Sequence, residues 1–396
     1  MATAENTVIV IPTYWTRPSS ERHRPITAAY DHPTPLNNDS TLPPLLEDLS
    51  AQQAKGLRVL ILTGLAHPDL GAAASDHVRQ LLRPYRGHLD LRLCDASALE
   101  RLRGLLQLTG LKAELLHLGS YSSIRNLQLV VPYILGAEVV VALDDDERIR
   151  PDYATRALRY VGHTLDGDRA LGLAGPYLQR QGDILLQEPS PTGNIFRDKA
   201  RLINATMRLL TEKKSGLAPS PMALGGNMVI HRDLFTRVCF DPGITRGEDI
   251  DYLINARLQG INWWFDPNLT ILHLPPRQFE TPLYQRTRED VFRFIYEREK
   301  LRLHGLVKPA WLEPYPGALL GDDLVEQAAS ALQMEATPEM VDRFGDPRGI
   351  ISAAQQHAAH NAPRYAEYVD AWQDLMTRLE QDTSLRQASA AVFPRL

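Results

Sequence analysis

Cysteine is scarce: Cys94 and Cys239 are the only two in 396 residues, which rules out a disulfide framework and a cysteine-built zinc site. Both lie in apolar, strand-like contexts (LRLCD and RVCFD), where a reduced thiol packs as a small hydrophobe. Lysine is scarce too: seven of the 43 basic residues are lysines, which leaves 36 arginines. With 48 acidic residues the formal net charge is −5, so counterion-release binding to nucleic acid has no global support. Long hydrophobic runs are missing. The strongest, residues 127–143, is broken by Pro132 and Glu138, and the first residues lack the basic stretch and long apolar stretch of a secretion signal. The expectation is a cytoplasmic protein with no membrane span.

What remains is an ordinary globular composition, 44% hydrophobic and 23% charged, long enough for two or three domains or one large one with an appendage. Apolar runs at 8–11, 57–63, 89–94 and 138–143 read as buried strands, with helical patterns at 45–53, 75–85, 100–108 and 124–135 between them. That alternation predicts a mostly parallel sheet whose ligands bind beyond the carboxyl ends of the strands. The Pro-rich segment 13–44 is too long for an idle connection and is expected to be a functional loop. Shorter strands are expected at 171–178, 183–187, 228–231, 262–265 and 269–274, helices at 199–210, 232–238 and 250–259, and a mobile polar loop at 213–221. Beyond Pro275-Pro276 helical periodicity takes over, at 283–304, 324–332 and 363–385, which places a boundary near residue 280.

Five constellations carry chemistry. The strand VVVAL runs straight into Asp144, Asp145, Asp146 and Glu147. Like charges at this density need a cation or hydrogen-bond donors to offset them, and hard oxygen ligands suit Mg²⁺ or Mn²⁺; an acidic turn capping the next segment is the plainer alternative. Glu248 and Asp249 open a helix, either as an acid or base for chemistry or as helix-capping charge. His273, inside LTILHLPP, suits Mn²⁺ as an imidazole ligand or sits as a packed core residue. Gly225-Gly226-Asn227 is either a tight backbone that approaches a ligand or a plain turn before a strand. Arg125, beside Asn126, clamps a diphosphate through its planar fork or pairs with the acidic cluster.

In this order and spacing the pieces resemble a nucleotide-sugar-dependent glycosyltransferase of the GT-A fold, in the style of family 2, over roughly residues 7–275. The matching features are Pro12-Thr13-Tyr14 at a strand end, Arg125-Asn126, the D-x-D triplet 144–146, Gly-Gly-Asn before a strand and Arg232-Asp233-Leu234-Phe235, and Glu248-Asp249 before a helix ending at Gly260. The resemblance implies a Rossmann-like α/β catalytic domain over 1–280 and a helical appendage over 281–396. It implies that Thr13, Tyr14 and Arg125 line the nucleotide pocket and that Asp144, within the triplet with Asp145, faces ribose and metal. Asp146 and His273 would hold Mn²⁺ or Mg²⁺, and Gly225, Gly226 and Asn227 would line the donor-sugar and acceptor side. Asp249 would be the base of an inverting reaction, with Glu248 holding the acceptor. The implied partners are a UDP- or GDP-linked sugar and a small hydroxyl acceptor. The acidic residue that reads the base after the second strand has only Asp69 as a match.

The Q-x-x-R-W motif of processive synthases is absent. A retaining enzyme of the glycerate or phosphoglycerate type is the alternative outcome, with Asp249 then binding acceptor. A sugar nucleotidyltransferase is disfavoured because 12–17 lacks glycines, and a non-catalytic carbohydrate-binding protein is the bland alternative. The helical tail is expected to act as a lid or acceptor wall, or as a homodimer contact. In it His357 and His360 share a helical face at i, i+3, expected to be solvated for want of a third ligand.

Overall fold

The computed structural model describes residues 3–18, 30, 33–54, 56–108, 115–165, 167–212, 216–275 and 281–396. Strands follow in chain order: β1 Thr7–Thr16, β2 Thr34–Pro35, β3 Arg58–Leu65, β4 Asp90–Cys94, β5 Val139–Ala142, β6 Glu147–Arg148, β7 Thr164–Leu165, β8 Asp168–Arg169, β9 Gly172–Ala174, β10 Tyr177–Leu178, β11 Ala218–Pro219, β12 Met228–His231, β13 Trp263–Phe265 and β14 Ile271–His273. The central sheet runs β11-β13-β9-β12-β5-β1-β3-β4, with β2 alongside β1. Strands β1, β3, β4 and β5 are parallel neighbours, while β12 inserts antiparallel between β5 and β9. The result is a mixed, mostly parallel sheet flanked by helices, with a helical C-terminal region.

The apolar runs form the buried strands expected of them, because a strand covered on both faces has no polar face to show. Every residue of β1 is buried. This strand continues past Pro12 to Thr16 rather than stopping at 11; β5 ceases to pair with it at Val10, so no neighbour on that side needs the N–H that Pro12 lacks. Segment 13–44 thus begins as strand over 13–16, and its residues 19–29 and 31–32 lie outside the described residues.

Three local expectations fail for identifiable reasons. No strand forms at 183–187: Asn204, from the Lys199–Glu212 helix, takes the Leu186 N–H at 2.8 Å and gives its amide to the Leu186 carbonyl at 2.9 Å. The polar stretch 213–221 contains β11, which pairs with β13; its residues 213–215 lie outside the described residues. The helix expected over 363–385 is two, Tyr365–Gln381 and Thr383–Ala390, because Asp382 caps the second by accepting from the Leu385 N–H at 2.9 Å.

The boundary placed near residue 280 falls in 276–280, outside the described residues. From Leu283–His304 onward the helices pack into the same core as the sheet. Trp372 donates to the Phe235 carbonyl at 2.8 Å, and the Leu396 N–H donates to Leu91 of the edge strand β4 at 3.0 Å, which blunts that edge. Among the described residues no helix is long and apolar enough to cross a membrane.

Candidate active site

A cleft of about 400 Å³ opens at the carboxyl ends of β1 and β5, where the topology of a parallel sheet leaves room for a ligand. Its floor is the acidic turn after β5. The Asp144 N–H donates to Glu147 Oε2 at 3.0 Å and closes the turn. Glu147 is then 1% exposed, and its Oε1 has no hydrogen-bond partner among the described residues. Glycine at 226 is obligatory here, since a Cβ would stand 2.0 Å from Glu147 Oε1 and 2.7 Å from Asp144 Oδ2.

Burial and mutual repulsion decide the charge states. Asp145 is pushed up to about 8, by burial first and Asp146 second, against hydrogen bonds from Thr13 and Thr41. Burial likewise raises Glu147 well above the carboxyl range, helped by Asp144 and Asp146, and raises Asp144 against the pull of Arg125.

Arg125 comes from the Tyr121–Ile134 helix, whose N-cap Ser120 accepts from the Ser123 N–H. It is 3% exposed and bridges the two acidic groups, donating to Asp144 Oδ1 at 3.0 Å and to Glu248 Oε1 at 3.3 Å. Burial opposes its charge, but Asp144, Tyr14 and Glu248 outweigh it and hold the proton firmly. Both alternatives weighed for Arg125 therefore share one position, in contact with the acidic cluster and facing the cleft. Glu248 itself rises to about 7, by burial first, with Arg125 opposing and Asp249 reinforcing. Asp249, in the first turn of the Glu248–Leu258 helix, accepts the Gly225 N–H at 3.0 Å on one oxygen and the Ile250 N–H at 2.8 Å on the other.

His273 reaches the cleft through sheet register. In the small sheet β10-β14-β6 it lies opposite Glu147, and the Leu274 N–H donates to the Asp146 carbonyl at 2.9 Å. Its Nε2 then stands 3.4 Å from Asp146 Oδ2. Burial alone would lower its pKa; the hydrogen bond and charge of Asp146, with Asp144, raise it instead. Among the described residues no group of three or more His, Cys, Asp or Glu side chains that could hold a metal ion forms.

Tyr14, Arg125, Asp144, Asp145, Asp146, Gly225, Glu248, Asp249 and His273 all line the cleft. Thr13 is fully buried behind it. Asn227 does not reach it: its Oδ1 accepts from the Tyr153 hydroxyl at 2.7 Å and its Nδ2 donates to the Leu269 carbonyl at 2.6 Å, so it holds the floor from beneath. Gly226 sits against the acidic turn and donates its N–H to the Tyr177 hydroxyl at 2.6 Å. Asp69 is exposed and pairs with Arg17 at 2.8 Å, away from the cleft lining. His357 is half-buried and bonds the Gly243 carbonyl through Nε2 at 2.7 Å, which makes it a packing contact of its helix rather than a solvated residue.

Several lining residues were not singled out from sequence. Tyr121 joins Tyr14 and Tyr30 in a cluster with ring centroids 4.5–5.3 Å apart. Tyr177 lies 5.1 Å from the His273 ring. Arg246 and Arg293 line the Asp249 end.

No family model and no curated protein matches the chain. Among solved structures, a mannosyltransferase of Pyrobaculum calidifontis in complex with GDP-Man and Mn²⁺ is similar at a TM-score of 0.45 and 14% identity, over 98% of this chain and 86% of that one. TarS 1-349 of S. aureus in complex with UDP follows at 0.39 and 14%, over 95% and 91%. Glucosyl-3-phosphoglycerate synthase of Mycobacterium tuberculosis, with phosphoglyceric acid, gives 0.37 and 11%, over 76% and 81%. Likenesses this distant assign no residue, substrate or metal to this chain.

Proposed function

We propose that the chain is a metal-dependent glycosyltransferase of GT-A type that moves a sugar from a UDP- or GDP-sugar to a hydroxyl of a small acceptor. The observation that carries this reading is the meeting, in one cleft, of the acidic turn, the Asp146–His273 pair and the Arg125 bridge to Glu248. A cluster of carboxylates held partly protonated by burial is costly unless a cation joins it. Two protein ligands completed by substrate phosphates is a usual way to hold a hard divalent ion. Asp146 and His273 fit Mn²⁺ or Mg²⁺ in that manner, and the metal's contribution when bound is to offset charge on the leaving diphosphate.

The remaining roles belong to the chain. The tyrosine cluster at Tyr14 and Tyr121 gives the nucleoside a stacking wall. Asp144, held by Arg125, faces the ribose and diphosphate. At the other end, Asp249 accepts the acceptor's hydroxyl proton as that oxygen bonds to the anomeric carbon and the bond to the diphosphate breaks, its electron pair leaving with phosphate. Glu248 steadies the acceptor. In this reading the anomeric configuration inverts. One observation favours the retaining alternative: both Asp249 oxygens already accept backbone N–H groups, a setting that suits an acceptor-binding carboxylate.

A panel of UDP- and GDP-sugars incubated with and without Mn²⁺ tests the proposal. Transfer or slow donor hydrolysis that requires the ion, and is abolished in Asp146→Ala, is expected; no binding and no turnover across the panel defeats it. NMR of the product's anomeric proton separates inversion from retention.

A further inference from the structure

The Asp249 end of the cleft carries two arginines that the reaction scheme leaves unused. Arg246 precedes the helix that bears Asp249, is partly exposed, and donates to Glu289 at 2.5 Å. Arg293 arrives from the Leu283–His304 helix and is 5% exposed, yet it lines the same cleft. Gly247 makes that approach possible: its φ is +71°, and a Cβ on it would stand 2.2 Å from the Arg293 guanidinium. Arg293 Nε donates to Glu297 at 2.9 Å and Nη1 to the Tyr315 hydroxyl at 3.2 Å, while its buried Nη2 has no partner among the described residues.

A guanidinium cannot shed its proton to relieve such a deficit, and a buried donor on a charged group is expensive to leave unmade. Arginine is also the side chain whose planar fork matches carboxylate and phosphate oxygens. The donor diphosphate is the other anion the cleft must hold, and its residues lie at the Asp146–His273 end. We propose that the acceptor carries an anionic group, a carboxylate or a phosphate, seated on Arg293 with Arg246 at the rim, so that its hydroxyl is presented to Asp249. This rests on the glycosyl-transfer reading, and makes Arg293 the residue that sets acceptor class.

Three probes on one carbon skeleton test it by calorimetric titration of the full chain, with and without UDP or GDP and Mn²⁺: glycerol, glycerate and glycerol 3-phosphate. At least one anionic probe is expected to bind about ten- to a hundredfold more tightly than glycerol, and whichever binds better identifies the anion. Arg293→Met should erase that preference and leave nucleotide affinity within about twofold; Arg246→Gln should reduce it by a smaller factor. If Arg293→Met does not fold, Arg293→Lys, which keeps the charge and loses the fork, should bind the preferred probe more weakly than the parent. Equal binding of all three probes, or a preference that survives the Arg293 substitution, overturns the inference. Nucleotide binding without anion preference defeats this inference alone, whereas absence of nucleotide binding defeats glycosyl transfer and leaves the anion preference to be read from the nucleotide-free titrations.

Discussion

Two groups of buried charges lie on either side of the Glu248–Leu258 helix, and they are built on opposite principles. On one side Lys300, Asp241 and Asp251 are all fully buried. Lys300 Nζ reaches both carboxylates at 2.6 Å and Asn255 at 3.1 Å; Tyr296 donates to the same Asp241 Oδ2 that Lys300 holds, and Gly243 and Asn255 donate to the remaining carboxylate oxygens. Every donor and acceptor is matched. On the other side, in the cleft, Glu147 Oε1, Arg293 Nη2 and the Tyr14 hydroxyl lack partners among the described residues; burial raises the carboxyls of Asp144, Asp145, Glu147 and Glu248 there, as it also raises Asp251 in the satisfied cluster. A satisfied cluster fixes one helix against another and wants nothing more. An unsatisfied one lining a cavity still has hydrogen bonds to offer, which in the glycosyl-transfer reading a ligand completes.

The sharpest way to break this contrast is Asp249→Asn. In the cleft reading it lowers kcat by about 10²- to 10⁴-fold, seen in steady-state transfer kinetics, and moves the melting temperature little. A large loss of stability with turnover preserved per folded molecule would move Asp249 into the structural group. Lys300→Met is the reciprocal test. It strands two buried carboxylates and should cost about 3–5 kcal/mol in chemical denaturation, with kcat of the folded fraction close to that of the parent.

The smallest effect sharpens the comparison through pH. Burial raises Glu297 to about 7 against the pull of Arg293, and Glu248 likewise. A carboxyl whose folded pKa lies above its unfolded one keeps a proton that the unfolded chain has lost. The contribution of these two groups is therefore highest below the unfolded value and is lost as pH rises from about 4.5 toward 7, and Asp145, pushed up to about 8, carries the decline further. A decline of a few degrees in melting temperature over that window is expected. Glu297→Gln should flatten part of the slope, and an unchanged slope would remove Glu297 from the account.

Much of this was legible in sequence because it is local. Buried parallel strands are continuous apolar runs, so β1, β3, β4 and β5 declare themselves, as does the acidic turn at the end of one of them. Leu283–His304 announces itself by period and ends at Gly305, which takes the left-handed cap. Arg293 was not legible as a cleft residue, because a charged position on a charged helix reads as solvent-facing until the fold shows Gly247 beneath it. Asn227 was misleading for the converse reason: an Asn after two glycines looks like a loop residue, and only the packing of Tyr153 and Leu269 around it shows an internal brace.

By itself, then, the sequence determined the strands, the order of the acidic and glycine motifs, and which carboxyls are crowded, since crowding of Asp144 to Glu147 is a matter of adjacent positions. It could not determine which distant groups meet. Asp146 and His273 are 127 positions apart and are joined by one β14–β6 register; Arg125 and Glu248 are 123 apart. Such pairings depend on how the sheet twists, which helix crosses it and which side chains that crossing leaves without partners, and those quantities exist only once the whole chain has packed.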